Sequence, residues 1–212
     1  MELPAHRVLL HKQLIQFLLS AKHIQTARVI RAFEHMPREL FIPPALRDEA
    51  YADKPLDIGD KQTASRPSVV GFMLEQMRLK ATDRVLEIGT GCGFQTALLA
   101  LLTREVFTIE VHEALALAAR KRLTQLGFAN ISFRVGNGFA GWRDRSPFDA
   151  IVVSAAADHI PEKLVEQLCR RGRLVMPLGR EEQKLVRVVR HRHFTEQEIL
   201  KACQFVEMIQ EE

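Results

Sequence analysis

The stretch Val85-Leu86-Glu87-Ile88-Gly89-Thr90-Gly91-Cys92-Gly93-Phe94 decides the fold. An apolar run carrying one acid passes into three glycines spaced two apart, and a helix-like segment, Gln95 to Leu102, follows at once. A buried parallel strand that ends in a tight turn and opens a helix reads this way, and the first N–H groups of such a helix face a ligand. Glycine suits the turn because a side chain would hold the backbone off the ligand. Plain strand–helix connections also use such glycines, so the turn by itself leaves both readings open.

Working outward, the same alternation recurs. The turn Thr82-Asp83 precedes a strand over Arg84 to Ile88; a helix over Phe94 to Leu102 leads to a strand over Val106 to Ile109, closed by Glu110. The helix Glu113 to Leu126 ends at Gly127, a good C-cap. Ile131 to Val135 and the nearly all-apolar Phe148 to Val153 read as further strands, the latter covered on both faces. A helix over Glu162 to Cys169, a strand over Arg173 to Met176, and a late pair of strands over Leu185 to Arg190 and Cys203 to Met208 complete the pattern. His191, Arg192 and His193 fall in the connection of that pair, either solvated or lining a groove. Upstream, apolar residues at helical intervals predict a helix over Val8 to Leu19. Thr26 is placed to N-cap a second helix, Ala27 to His35, stopped by Pro37. Residues 37–66, rich in proline, predict an ordered loop region, and Ser68 to Met77 a third helix after Pro67. Strands alternating with helices predict an α/β fold: a doubly wound, mostly parallel sheet with right-handed crossovers and an N-terminal helical cap.

Composition bounds the partners. The chain has 212 residues, 47% hydrophobic and 26% charged, with a net charge of +4 and a pI near 9.1. These values suit a globular protein. The basic residues are scattered, with little aromatic interleaving, so no nucleic-acid partner is expected. No apolar run of about 18 residues and no export signal occur, so no membrane partner is expected. Cys92, Cys169 and Cys203 lie far apart without metal-ligand spacing, which predicts no metal and a reducing, cytoplasmic setting.

Ligands of such sheets bind outside the carboxyl ends of the strands, so chemistry is sought there. The glycine spacing is G-x-G-x-G, not the G-x-G-x-x-G of dinucleotide folds, which disfavours a nicotinamide dehydrogenase. With the acid in the strand it points to S-adenosylmethionine. Glu110, 21 residues after Gly89, is placed to accept from both ribose hydroxyls, and Asn137, between Gly136 and Gly138, to meet a base edge. Ser154-Ala155-Ala156-Ala157 leaves room for a substrate or simply starts a helix.

The other distinctive stretch runs from Tyr51 to Pro67 and contains Gln62-Thr63-Ala64-Ser65-Arg66-Pro67. Here the chain resembles the protein-L-isoaspartate (D-aspartate) O-methyltransferase family, which carries an Ala-Tyr-x-Asp-x-Pro-Leu-x-Ile-Gly-x-Gly-Gln-Thr-Ile-Ser-x-Pro block ahead of its first strand. The resemblance continues through Pro37-Arg38-Glu39-Leu40-Phe41-Ile42-Pro43, Leu86 to Gly93, Pro147-Phe148-Asp149, Ala155-Ala156-Ala157, Ile160-Pro161, Gly172 to Gly179, and Phe205-Val206, nearly the whole chain in the family's order.

The resemblance implies a Rossmann-like class I methyltransferase of one domain. Residues 1–67 would form the N-terminal helices and substrate loop, 68–180 the cofactor-binding core, and 181–212 the C-terminal strands. It implies transfer of a methyl group from S-adenosyl-L-methionine to the free carboxylate of L-isoaspartyl and D-aspartyl residues in damaged proteins, for repair, by a monomer. The ester would then cyclise unaided to a succinimide. Ser65 would be catalytic, orienting the carboxylate, with Gln62, Thr63, Ala155, Phe205 and Val206 also meeting the substrate. Glu87, Gly89, Thr90, Gly91, Gly93, Glu110, Asn137 and Gly138 would hold the cofactor, with Glu87 placing its methionine end. Four positions depart from the family's pattern: Lys61 stands for glycine, Ala64 for isoleucine, Asn137 for aspartate and Glu207 for proline. If the glycine has positive φ, Lys61 is strained there. The departures leave two other readings open: a paralogue that methylates another carboxylate, and a binding module of the same fold without catalysis.

Overall fold

The computed structural model describes residues 4–209. Its central sheet has seven strands in the order β5-β4-β3-β6-β7-β8-β9. These are β3 (Arg84–Ile88), β4 (Glu105–Glu110), β5 (Ile131–Val135), β6 (Phe148–Val153), β7 (Leu168–Leu178), β8 (Gln183–Arg190) and β9 (Thr195–Cys203). The pairs from β5 through β7 are parallel; β8 and β9 add antiparallel. The chain leaves β3 toward β4 on one side and later returns as β6 on the other. The ends of β3 and β6 therefore flank the switch point, where an open sheet binds ligands.

Burial follows the pleat. Val85, Ala150 and Val152 enter one apolar cluster, while Leu86, Ile88, Ile151 and Val153 enter the other. The first cluster lies under α3 (Pro67–Met77), α4 (Phe94–Leu102) and α5 (Glu113–Gln125). The second is closed by Phe139, Trp142 and the short helix α6 (Glu162–Glu166). The two N-terminal helices, α1 (Ala5–Ser20) and α2 (Ala27–His35), pack on α3 and α4. Phe33 and Phe41 meet the Phe94 ring there, at centroid distances of 5.9 and 5.5 Å. Gly71 of α3 is needed for this close approach, because a Cβ would come within 2.6 Å of Ile24 Cγ2.

Local signals explain several boundaries. Gly127 has φ +86°, and the N–H groups of Gly127 and Phe128 bond Thr124 O and Leu123 O, which closes α5. Thr26 holds the N-cap position of α2, but its hydroxyl caps nothing. Instead the Gln25 and Thr26 N–H groups and the Thr26 hydroxyl all donate to Glu75 Oε1.

Three expectations fail. The helix read as reaching Cys169 stops at Glu166, and β7 begins at Leu168. Residues 169–172 bulge out of β7 between the pairs Phe148↔Leu168 and Ala150↔Arg173, with Arg171 at φ +64°. The last strand is Thr195–Cys203, not Cys203 to Met208. That later segment runs beside residues 154–157, where Ala156 N donates to Val206 O and Met208 N to Ala156 O. Finally, the loop ahead of α3 contains an antiparallel hairpin, β1 (Leu56–Gly59) and β2 (Gln62–Ala64), on which the site depends. Among the described residues no helix is long and apolar enough to cross a membrane.

Candidate active site

The turn after β3 is built on positive backbone angles: φ is +92° at Gly89, +52° at Gly91 and +86° at Gly93. It forms one wall of a cleft of about 880 Å³, open solvent at its mouth included. The other walls come from Glu110, Val111 and His112 after β4, Gly136 and Gly138 after β5, Ser154 and Ala155 after β6, and the β1–β2 hairpin. The cleft thus lies across the carboxyl ends of four neighbouring strands.

Glu110 ties this wall together. Its Oε2 accepts from Gly91 N at 2.8 Å and its Oε1 from His112 N at 3.1 Å. Each oxygen keeps a lone pair for the cleft, which suits a vicinal diol. Gly138 sits where a Cβ would fall 2.2 Å from Ile88 Cγ2, so only glycine fits that floor. Across the cleft, Ile58 of β1 lies 3.4 Å from the Cβ position of Gly91, which brings the hairpin over the glycine turn.

Three of the expected cofactor residues lie elsewhere. Glu87 does not line the cleft; it is fully buried beneath it. Alternation along β3 turns its side chain toward α4, opposite to Leu86 and Ile88. There Thr96 Oγ1 and Thr108 Oγ1 donate to its Oε2 at 2.6 and 2.8 Å, and Gln95 Nε2 donates to Oε1 at 3.2 Å. Because Thr108 spends its proton on Glu87, the Thr90 hydroxyl donates to Thr108, at 2.6 Å. Glu87 therefore braces the turn from behind. Burial raises its pKa to about 7, against the pull of the three hydrogen bonds. Gly93 also faces away: its Cβ position is 3.1 Å from Leu123 Cδ1, which makes it a packing site for α5. Asn137 lies between two lining glycines but is not itself a lining residue; its Oδ1 accepts from Phe139 N at 2.8 Å and caps the turn Gly138–Ala140. Gly89, Thr90, Gly91, Glu110 and Gly138 line the cleft.

On the acceptor side, Gln62, Thr63, Ser65, Ala155 and Val206 line the cleft, while Phe205 lines only an adjoining groove. Thr63, Ser65, Ser154 and Val206 are shared by both spaces, so the junction of cleft and groove lies at Ser65. Glu207, the departure from proline, is exposed at the cleft mouth. Lys61 has φ +58° and Asp60 φ +51°, the paired positive angles of a two-residue hairpin turn, so the lysine is strained as the sequence implied.

Two further residues complete the site. Arg38 is 1% exposed and has no carboxylate partner among the described residues. Its guanidinium donates to the carbonyls of Ala50, Ala52, Lys54, Ala64 and Ser65, at 3.1 to 3.3 Å. Burial lowers its pKa to about 10, so it stays charged at neutral pH. One side chain thus fixes both ends of the hairpin, including the backbone of Ser65. Its only trace in the sequence is the Pro37 to Pro43 block. Ser154 Oγ accepts from Gln95 Nε2 at 2.9 Å, which leaves its O–H to point into the junction. The run of small residues signalled space there but not a donor.

Comparisons with known proteins bear on the family. The family model described as protein-L-isoaspartate(D-aspartate) O-methyltransferase matches residues 9–212. A protein-L-isoaspartate O-methyltransferase of Syntrophus aciditrophicus is 46% identical over 203 residues, covering 94% of this chain and 93% of its own. One of Picosynechococcus is 44% identical, covering 92% and 87%. Among solved structures, a protein-L-isoaspartate O-methyltransferase superposes with a TM-score of 0.84 at 26% identity, covering 93% of this chain and 65% of that one. A Plasmodium falciparum protein, solved with S-adenosyl-L-homocysteine, shares the fold at a TM-score of 0.84 and 23% identity over 94% and 98% of the two chains. The chain belongs to the protein-L-isoaspartate (D-aspartate) O-methyltransferase family.

Proposed function

We propose that the protein methylates the free carboxylate of L-isoaspartyl, and D-aspartyl, residues in damaged proteins, using S-adenosyl-L-methionine. The observation that carries this reading is the junction at Ser65, where a nucleoside-sized cleft opens into a groove able to take a peptide. The residues fit the cofactor: the Gly89–Gly91 backbone is bare, Glu110 offers acceptors for a diol, and Gly138 leaves the floor open. When bound, the cofactor supplies a methyl group on a positively charged sulfur.

The acceptor carboxylate is ionised at neutral pH, so no side chain has to remove a proton. One C–S bond breaks and one C–O bond forms, and the electron pair of the broken bond stays on sulfur. The protein's task is alignment and exclusion of water. Ser65 donates a hydrogen bond that orients the carboxylate. Arg38 holds Ser65, and Ile58 of the hairpin covers the glycine turn. In this reading residues 1–67 carry the acceptor side, 68–180 the cofactor side, and the strands beyond them close the groove. The enzyme acts as a monomer in the reducing interior of the cell, consistent with three free cysteines.

Ser65→Ala tests the arrangement. The account expects kcat/KM for an isoaspartyl peptide to fall roughly 100-fold, with the calorimetric affinity for S-adenosylmethionine unchanged. An equal loss of both would remove Ser65 from the junction.

A further inference from the structure

The groove beyond Ser65 has an unbalanced set of charges. Four ionisable side chains that change its charge line it: His23, Asp53, Arg66 and Lys201. Among the described residues neither Arg66 nor Lys201 forms an ion pair. The one acid, Asp53, spends Oδ1 on Ser68 N at 2.8 Å, at the start of α3. His23 is held below its usual pKa, by burial first and then by Lys201, against Asp53, so it adds little positive charge of its own. Lys201 is half-buried, and its ammonium sits 4.0 Å from the centroid of the Phe72 ring. Asp53 acts on Lys201 without an ion pair and offsets one of the two positive charges, so a partly desolvated ammonium remains that favours an anion entering beside it.

We propose that Arg66 and Lys201 form a subsite for a second carboxylate of the substrate peptide, near the methyl-accepting residue. The inference rests on the methyltransferase reading and adds a preference within it. The cations line the groove but not the cleft, so they are set apart from the reacting carboxylate. That separation matters, because a cation on the reacting oxygen would weaken it as a nucleophile. The second carboxylate comes either from a neighbouring Asp or Glu side chain or from the peptide's C-terminus.

The test uses isoaspartyl peptides with Glu, Gln or Lys at the flanking positions, each with a free and an amidated C-terminus. For the unsubstituted protein, kcat/KM for the Glu peptide should exceed that for the Lys peptide roughly tenfold at low salt, and the ratio should shrink as salt rises. Lys201→Gln should bring the ratio near one, and Lys201→Glu should invert it. If only the free C-terminus matters, the second carboxylate is the terminal one. A wild-type ratio near one with no difference between free and amidated C-termini, or a preference unmoved in both Lys201→Gln and Arg66→Gln, overturns the subsite. Fluorescence anisotropy of the same peptides, with S-adenosylhomocysteine added, separates the two claims. No methyl transfer with a retained Glu-over-Lys or free-over-amidated affinity would overturn the acceptor assignment and keep the subsite; equal affinities for all the peptides would overturn the subsite.

Discussion

Lys61 is where the chain's departure from its family has a physical cost. A non-glycine residue in the left-handed region costs about 1–2 kcal/mol, whereas Asp60 beside it is of a type that tolerates the region. Glycine would relieve that strain and give back about 0.5–1 kcal/mol through a freer unfolded chain. Lys61→Gly is therefore expected to stabilise the protein by up to about 1 kcal/mol, with a smaller effect for Asp60→Gly, as read from urea midpoints. Glu87 makes a different prediction at the same scale. Its folded pKa, about 7, lies above the ordinary glutamate value of 4.5. The folded state therefore holds the proton more tightly, and the stability gained is full below about pH 4.5 and lost as pH rises through 7. Glu87→Gln should remove a pH-dependent loss on the order of 3 kcal/mol from denaturant curves between about pH 4 and pH 8. An unchanged pH profile would mean Glu87 is ionised throughout. Glu87 was visible in the sequence as an acid in an apolar strand. Its orientation follows from alternation with Leu86 and Ile88, which turns it to the opposite face of β3.

The acceptor side depends on the hairpin, and the hairpin depends on Arg38. Arg38→Ala would strand buried carbonyls and is expected to cost about 3 kcal/mol. Arg38→Lys, which reaches fewer of them, should keep the fold and lose kcat for isoaspartyl peptide while cofactor affinity holds. Guanidinium added to Arg38→Ala should restore part of the activity, which a purely lost fold would not allow. Elements with a buried face were legible: β3, β4 and β6 lie where the apolar runs placed them, as does β5, whose Ile131 and Phe133 are partly buried. β9 was not, because Thr195–Cys203 is an edge strand, exposed over most of its length and held by backbone pairing to β8. Its apolar neighbours Phe205, Val206 and Met208 drew the strand assignment instead. The α6 boundary failed because the bulge at 169–172 makes β7 look as if it starts after Gly172. The β1–β2 hairpin escaped because it is three to four residues a strand and turns through Asp60-Lys61 rather than an Asn-Gly pair.

At the scale of the molecule, the sheet order brings together two halves that the chain keeps apart. The cofactor cleft belongs to the ends of β3, β4, β5 and β6, and the groove mainly to the segments before α3 and to the end of β9 with the residues that follow it. Ser65 and Ser154 stand where they meet. The cofactor half was readable because its glycines and Glu110 follow a short-range pattern. The charge of the groove was not, since Arg66 and Lys201 are 135 residues apart and meet only through folding. The most direct test of the central claim is methyl transfer from labelled S-adenosylmethionine to a matched pair of peptides that differ only in isoaspartyl against aspartyl linkage. The account predicts label on the isoaspartyl peptide and little on its aspartyl twin. Bound cofactor with no label on the isoaspartyl peptide would contradict it.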